Sequence, residues 1–563
     1  LGPIADQFGA SGSRNYRQLS YSFFGQDSWK VRDNLTLSYG VRWDYVGAFY
    51  DKLNEVAYYR PGSISQLVAN GQLRAPGGQL ITNGGGIPVD GLVYPGDPDN
   101  VLGGNVPNGG YNPGLHNFAP RLGFSYSPRA ADGTFWHRLV GDNAMVIRGG
   151  WGMYYDGASL ADTQLQQLNA PGYNGTNSFF FPSGGTLADP FAPSPFGTNV
   201  LPTIPNPFLA DQFNVSAPLA QFARPVDPHL ATPYTYQYNL TVERSLHKDY
   251  VVSLSYVSTR GKRLYASEQI NPSLGTFFPF ANQITPTPGG GAPPPPTQAN
   301  RDSRRTNPDI RLGLGELVTA GDSWYNAFEA QVQKRFSHGL TFQAAYTWSK
   351  SIDNSDDSRG LLDLLNRNAG KGLSADDIPQ RLVINWVYEL PFFNHSSGLR
   401  QRLFGGLRFA GIASFSSGTP FTVGNPFDID GTGGALVNNA DLGAPFQLLD
   451  PRSHNTQAFN SKAFTAVGGP GTGFNLATDF RRGTEGVNQF FEGNGINQWD
   501  LSVAKTTRLW SESTSLNLQI DLFNAFNHAQ FTNLDLNILD PNFADYTATR
   551  QSRVIQLSAR FKF

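Results

Sequence analysis

Acidic residues with the spacing of a calcium loop occur at one place in the sequence. Asp428, Asp430 and Gly431 stand in the run Asp-Ile-Asp-Gly-Thr-Gly, a spacing typical of the start of such a loop. A complete loop needs further oxygen ligands and a glutamate near its twelfth position, where this chain has Asn439. Two interpretations therefore stay open, a plain glycine-rich loop or a weak calcium site at Asp428 and Asp430.

Other patterns that would predict catalysis are missing from the sequence. The eight histidines are scattered and lack the spacing of a zinc site. Gly370 and Lys371 lack the upstream glycine of a phosphate-binding loop, and no Gly-x-Ser-x-Gly elbow precedes a helix. We therefore predict a protein that is not an enzyme, and we assign no catalytic residue, cofactor or metal ligand.

The composition excludes several classes of protein. Charged residues make up 15% of the 563 residues and the net charge is −2, which argues against nucleic-acid binding. No stretch approaches the roughly 18 consecutive apolar residues of a membrane helix, so a chain that crosses a membrane must do so as a closed barrel. The first residues, Leu1 to Ala5, show no signal peptide. We expect either that the protein is not exported or that its true start is missing.

Segments that alternate apolar and polar residues recur along the chain. From Leu35 to Tyr45, every odd position is apolar or aromatic and every even position is small, polar or charged. Successive side chains of a strand point to opposite faces, so the pattern predicts strands with one apolar and one polar face. Each segment has about the ten residues of a tilted membrane strand. About thirteen such strands are predicted, at 21–31, 35–47, 119–128, 144–156, 233–245, 250–264, 322–336, 340–350, 380–391, 406–418, 497–508, 514–524 and 551–563.

The predicted connections fall into two classes. One class is mostly short, whereas the other is long and rich in Gly, Pro, Asn and Asp. Short turns at one end and long loops at the other are the pattern of an outer-membrane barrel. The tract 285–296, with three consecutive glycines and four consecutive prolines, is not expected to pack into a core. The predicted long loops are 48–118, 157–232, 265–321, 351–379, 419–496 and 525–550.

Several stretches resemble the Oar-like branch of TonB-dependent receptors. They are Phe24–Val31 with Asn34–Leu37 and Gly40–Asp44, Tyr325–Ala327 with Lys334–Leu340 and Ala345–Asp353, Ser417–Val423, and Phe523–Phe531. The resemblance implies an all-β transmembrane antiparallel β-barrel of 22 strands, filled by an N-terminal plug and driven by TonB. It implies energised uptake of an unidentified nutrient ligand across the bacterial outer membrane. The alternatives are an Oar-like role in surface interaction or protein export, and a soluble β-rich binding protein such as a lectin.

The C-terminal segment alternates strictly and ends on an aromatic residue, Phe563. It looks like the signal by which the barrel-assembly machinery recognises a last strand, so we expect that machinery, outer-membrane lipid and lipopolysaccharide as partners. A periplasmic C-terminus places the long loops outside the cell. Thirteen is an odd number, whereas bacterial single-chain barrels have an even number of strands. We therefore expect residues 1–563 to be the C-terminal part of a receptor barrel. The plug, TonB box and signal peptide would then be absent.

Alternation also predicts which way each side chain points. The residues expected to face lipid are Leu37, Val41, Tyr236, Leu254, Phe342, Tyr346, Ile384, Leu518 and Leu557. Those expected to face the lumen are Ser38, Thr235, Ser253, Gln343, Asn385 and Gln519, together with the charged residues Arg42, Asp44, Glu243, Glu329, Arg335, Asp521, Arg560 and Lys562. Aromatic residues expected at the edges of the apolar band are Trp29, Tyr45, Tyr234, Trp348, Trp386 and Trp499.

Overall fold

A computed structural model describes most of the chain. The described residues are 4–9, 15–54, 56–72, 90–141, 144–157, 174–179, 225–246, 249–271, 307, 315–355, 367–368, 370–391, 405–425, 438–466, 485–509 and 514–563. The candidate calcium residues Asp428 and Asp430 and the tract 285–296 lie outside them.

Thirteen antiparallel strands of the described residues form one large sheet, which we call the wall. Each wall strand pairs with its neighbours in chain order, so the predicted number and order are confirmed. The strands are β1 (Ser20–Arg32), β2 (Leu35–Val46), β3 (Phe118–Tyr126), β4 (Met145–Tyr155), β5 (Tyr234–Leu246), β6 (Tyr250–Gln269), β7 (Gly315–Ser337), β8 (Leu340–Asp353), β9 (Gln380–Glu389), β10 (Leu407–Ser416), β11 (Ile496–Arg508), β12 (Ser515–Phe523) and β13 (Val554–Lys562). In the described part of the chain, β1 and β13 are the two edges.

The register of the wall separates an apolar face from a polar face. Directly paired residues share a face, and the pairs Leu254–Ala330, Ala330–Tyr346 and Tyr346–Leu382 carry one apolar row across four strands. By the same pairing, all nine residues predicted to face lipid lie on the apolar face, and Ser38, Thr235, Ser253, Gln343, Asn385 and Gln519 lie on the other. Leu518 is 49% exposed although it is apolar, as expected for a surface that contacts lipid.

Asp27 interrupts the apolar face of β1. It pairs with Tyr39 of β2, and the Tyr39 hydroxyl donates a hydrogen bond of 3.1 Å to its carboxylate. The carboxylate therefore has a polar partner on an otherwise apolar surface, which alternation alone does not predict.

Strands β6 and β7 extend further than the sequence predicts. The prediction ended β6 at 264 and began β7 at 322, but the pair continues to Gln269 and Gly315. The register shifts near Gly261 and Leu264, and Arg263 adopts a positive φ of 54°. Such a bulge breaks the alternation, which is why this part of the ladder was wrongly placed in the loop 265–321.

The connections follow the predicted segregation. Residues 33–34, 127–144, 247–249, 338–339, 390–406 and 509–514 connect strands at one end, and all the longer connections lie at the other. In the two-residue turn His338-Gly339, both residues have positive φ. A Cβ atom on Gly339 would lie 2.3 Å from the Glu389 carbonyl oxygen, so only glycine fits there. We call the two ends the short-turn end and the long-loop end.

Short helices and strand pairs lie in the connections at both ends of the wall. Within the described ranges, the helices are α1 (Gln66–Ala69), α2 (Phe135–Val140) and a 3-10 turn at Ser461–Ala463. No helix in the described ranges is long and apolar enough to cross a membrane. The small strand pairs are Ile4–Gly9 with Asn174–Phe179, Tyr16–Arg17 with Tyr50–Asp51, Tyr58–Tyr59 with Leu92–Val93, Pro420–Phe421 with Phe490–Phe491, Gly424–Asn425 with Asn438–Asn439, Asp441–Leu442 with Phe464–Thr465, and Phe531–Leu534 with Tyr546–Thr549, while Gly372–Leu373 pairs with β8.

Aromatic pairs occur near both ends of the wall. Tyr21 stacks on Tyr45 at the long-loop end, and Phe561 stacks on Phe563 at the short-turn end. The rings of Trp386 and Trp499 meet edge-on, with their centres 6.3 Å apart. That the six predicted aromatic residues lie at the edges of the apolar band stays a prediction.

Candidate functional site: the folded long-loop region

The loop between β2 and β3 has a core of its own. Val56, Tyr58, Val93 and Val106 are at most 2% exposed and pack together. Burial of these side chains, about 1.5–3 kcal/mol for each larger one, stabilises a fixed loop shape. This loop is thus a folded structure at the long-loop end of the wall.

A buried ion pair holds this loop together. Arg60 Nε lies 2.9 Å from an Asp99 carboxylate oxygen, and neither side chain is exposed. Arg60 also donates to the carbonyl oxygens of Tyr59 and Gly110, and Asp99 accepts from the backbone N–H groups of Val101 and Leu102. Burial alone would raise the pKa of Asp99, but the Leu102 N–H and the Arg60 guanidinium outweigh it and lower that pKa.

A second buried carboxylate, Asp97, organises the start of α1. It accepts hydrogen bonds from Ser65 Oγ at 2.5 Å, from Tyr94 N at 2.9 Å and from Leu67 N at 3.1 Å. Ser65 in turn caps the helix by accepting from Val68 N. Polar groups of this loop thus form hydrogen bonds within the loop itself. In an unfolded connection the same groups would form hydrogen bonds with water.

The largest core that the described long-loop residues form is aromatic. It is shared by the loops after β10 and β12, because Ala458 N donates to Ala544 O and Tyr546 N donates to Thr456 O. Leu534 and the buried residues Val423, Ala440 and Tyr546 belong to the same cluster. We define the aromatic loop core as its five central phenylalanines, Phe421, Phe446, Phe459, Phe464 and Phe490.

Two glutamates face this core, of which Glu485 is buried and Glu492 is half-buried. Both carboxylate oxygens of Glu485 accept from Val423 N at 3.0 Å, and Glu485 N donates to Ala440 O. Burial raises the pKa of Glu485 to about 8. Glu492 accepts from Thr419 Oγ1 at 3.3 Å and from the Tyr546 hydroxyl at 3.4 Å, and burial raises its pKa as well. Both glutamates connect segments that are distant in sequence.

The polar face carries charged residues in local pairs. Arg42 lies 2.7 Å from Asp44, which also accepts from Ser22 Oγ at 2.7 Å. Arg148 approaches Glu243 at 3.9 Å across neighbouring strands. Three residues predicted to line the lumen, Arg42, Asp44 and Glu243, therefore have partners in the wall. Glu329, Arg335, Asp521, Arg560 and Lys562 also lie on the polar face of their strands, as alternation predicts.

The described residues contain no group of three or more His, Asp or Glu side chains arranged to hold a metal ion. What the structure does bring together is the folded loop region, which sequence reasoning missed. Apart from polar and aromatic residues between glycines, the loops give no periodic signal that would predict a core. The arrangement provides a shaped surface at the long-loop end and a polar face below it. Both suit binding and passage of a ligand better than a chemical reaction.

One apolar and one polar face on an antiparallel wall, with loop length segregated by end, define a transmembrane β-barrel protein. The chain belongs to the outer-membrane β-barrel family, because a family model described as "Outer membrane beta barrel domain" matches residues 5–556. The protein therefore resides in the bacterial outer membrane, which it crosses with its strands.

Solved structures of outer-membrane proteins resemble the chain weakly. The outer membrane transporter YddB from Escherichia coli is 11% identical, with a TM-score of 0.41 over 97% of this chain and 54% of that one. The ferric-catecholate import receptor Fiu from E. coli K12 is 10% identical, with a TM-score of 0.39 over 97% and 44%. The ferripyoverdine receptor of Pseudomonas aeruginosa is 11% identical, with a TM-score of 0.39 over 97% and 39%. The chain thus spans about half or less of their length, and no curated protein matches it.

Proposed function

We propose that the chain forms the wall and ligand-capturing loops of a TonB-dependent receptor of the Oar-like type, which takes up a nutrient ligand with energy from TonB. The observation that carries the proposal is the folded long-loop region, with its buried Arg60–Asp99 pair and its aromatic loop core. A fixed outer surface above a polar face can select a ligand and admit it to the lumen. The order of the Oar-like stretches along β1, β2, β7, β8 and β12 supports the same proposal.

The proposal includes an orientation and partners. The long-loop end faces the outside of the cell and the short-turn end faces the periplasm, because short turns are periplasmic in bacterial barrels. The last strand, β13, ends next to Phe563, a residue that is 89% exposed and available to the barrel-assembly machinery. β1 and β13 each have one unpaired backbone edge in the described part, which lipid cannot satisfy. We infer that further strands pair with them, so that the chain is the C-terminal part of the barrel.

Uptake can be tested in the native bacterium without knowing the ligand. Accumulation of isotope-labelled nutrients is compared in the parent, in a strain that lacks the gene and in a strain that lacks TonB. The proposal predicts that both deletions abolish accumulation of the same compound, and that restoring the gene rescues only the first. If neither deletion changes uptake, the receptor proposal is wrong. If loss of the gene instead alters surface attachment or the secreted proteins, with no effect of TonB, the surface-interaction or export alternative is favoured.

A further inference from the structure

A cluster of cations surrounds one indole ring at the long-loop end of β6 and β7. Arg260 Cζ, Lys262 Nζ and Lys371 Nζ lie 5.6, 5.4 and 4.2 Å from the centre of the Trp324 ring. Arg263 lies beside them, with its guanidinium 5.7 Å from the ring centre of Tyr234.

This cluster belongs to the apolar face of the wall. Arg260 pairs with Trp324 on β7 and with Tyr236 on β5, one of the residues on that face. Lys262 pairs with Tyr234 in the same register. Charges on this face point towards lipid and cannot reach a ligand in the lumen.

The height of the cluster matches the edge of a membrane. On β7, Lys334 marks the short-turn edge of the same face, because its ammonium donates to Ser337 O at 2.8 Å and Leu340 O at 2.9 Å in the turn. Trp324 lies ten residues further along the strand. At about 3.3 Å per residue and a tilt of about 40°, ten residues rise about 25 Å, the height of the apolar band of such barrels. The cations therefore lie at the level of lipid headgroups.

Among the described residues, one carboxylate forms an ion pair with these cations. Asp322 pairs with Lys262 at 2.5 Å. Arg260, Arg263 and Lys371 are exposed and form no ion pair with any residue in the described ranges. Like charges around one ring repel each other, and an anion placed among them would relieve the repulsion. A phosphate group suits guanidinium and ammonium donors held in this way.

We propose that Arg260, Lys262, Arg263 and Lys371 bind a phosphate group of lipopolysaccharide at the long-loop rim, with Trp324 as the platform that holds three of the cations together. In the proposed orientation this rim contacts the outer leaflet, where phosphorylated glycolipid lies. The inference depends on that orientation and is independent of whether the protein takes up a nutrient.

The test measures lipid bound to the protein after extraction from outer membranes in mild detergent. The variant carries Arg260→Gln, Arg263→Gln and Lys371→Gln. The matched control carries Lys30→Gln, Arg32→Gln and Arg508→Gln, three exposed cations at the short-turn end. Loss of three charge-assisted contacts should lower retained lipopolysaccharide by at least about tenfold, whereas the control should retain it. Heat-modifiable migration of both variants on a gel shows that each has folded.

A second arm identifies the group that is bound. The native protein is stripped of lipid and offered bisphosphorylated lipid A, its dephosphorylated form, phosphatidylglycerol or inorganic phosphate. The proposal predicts tight binding of the first alone, and loss of that binding in the triple variant. Equal binding of dephosphorylated lipid A or phosphatidylglycerol, full displacement by inorganic phosphate, or unchanged retention by the folded triple variant would each overturn it. Labelling of loop cysteines on intact cells tests the orientation separately.

Discussion

Replacement of Glu485 by glutamine tests the energetics of the aromatic loop core. The pKa of Glu485 rises from its ordinary value of 4.5 to about 8, so the folded loop holds a proton that the unfolded loop releases. Between these two values the folded state binds more protons, and stability therefore falls as the pH rises. The stability that protonated Glu485 gives the loop is fully present below pH 4.5 and is lost as the pH approaches 8.

The size of the effect follows from the same shift. At about 1.36 kcal/mol per pKa unit, the proton that Glu485 holds at pH 7 costs the folded loop about 3 kcal/mol relative to an unfolded loop with an ionised carboxylate. Glutamine stays neutral at every pH and keeps an oxygen that can accept from Val423 N. Glu485→Gln should therefore stabilise the loop by up to about 3 kcal/mol at pH 7 and by almost nothing at pH 4.

Hydrogen exchange read by mass spectrometry on the detergent-solubilised protein measures this stability locally. Amides of 419–425 and 438–466 are followed from pH 4 to 8, with correction for intrinsic exchange rates. Burial raises the pKa of Glu492 too, so Glu485→Gln should weaken the pH dependence and the double variant with Glu492→Gln should remove most of it. Asp450→Asn, at a side chain 56% exposed, is the control and should change little. Unchanged pH dependence in Glu485→Gln, or destabilisation at pH 7, would refute the reasoning.

Three further predictions concern the wall, the first loop and the short-turn end. Leu518→Arg should cost about 2–4 kcal/mol of folding free energy in lipid vesicles while Gln519→Arg costs little, because only the first faces lipid; equal costs would contradict the assignment of the two faces. Asp99→Asn should lower the local opening free energy of residues 56–60 and 92–106 by about 3–5 kcal/mol, since it leaves the buried Arg60 charge without a counter-charge; unchanged hydrogen exchange there would argue against a structural role. An environment-sensitive fluorophore on Trp136→Cys should report an apolar surrounding in bilayers. Trp136 is 63% exposed on α2, and Arg244, on the apolar face of β5, donates to a carbonyl of that helix. Emission typical of water would place α2 away from lipid.

Alternation sufficed to predict the wall because lipid and water impose a period of two on every spanning strand. It predicted the thirteen wall strands that the described residues form, and it placed Leu254 and Gln519 on opposite faces of the wall. It failed where that period breaks, as at the bulge around Arg263, beyond which β6 and β7 continue. The alternation of apolar and polar residues also gives no information about contacts between residues distant in sequence.

The folded long-loop region depends on interactions between residues that are distant in sequence. Arg60 and Asp99 are 39 residues apart, and the aromatic loop core joins two loops separated by β11 and β12. Nothing in a one-dimensional pattern indicates that such residues meet. The cation cluster around Trp324 was hidden for a related reason, because Lys371 reaches it from a loop that begins after β8.

A membrane-spanning wall with folded loops outside the cell exposes its two ends to different compartments. Because the chain contains no cysteine, single cysteines can be placed and labelled without background. Ser453→Cys reports the long-loop end and Asp33→Cys reports the short-turn end, and both positions are exposed. With a membrane-impermeant maleimide on intact cells, Ser453→Cys should be labelled at once and Asp33→Cys only after the outer membrane is permeabilised. Labelling of Asp33→Cys on intact cells, with Ser453→Cys protected, would contradict this arrangement.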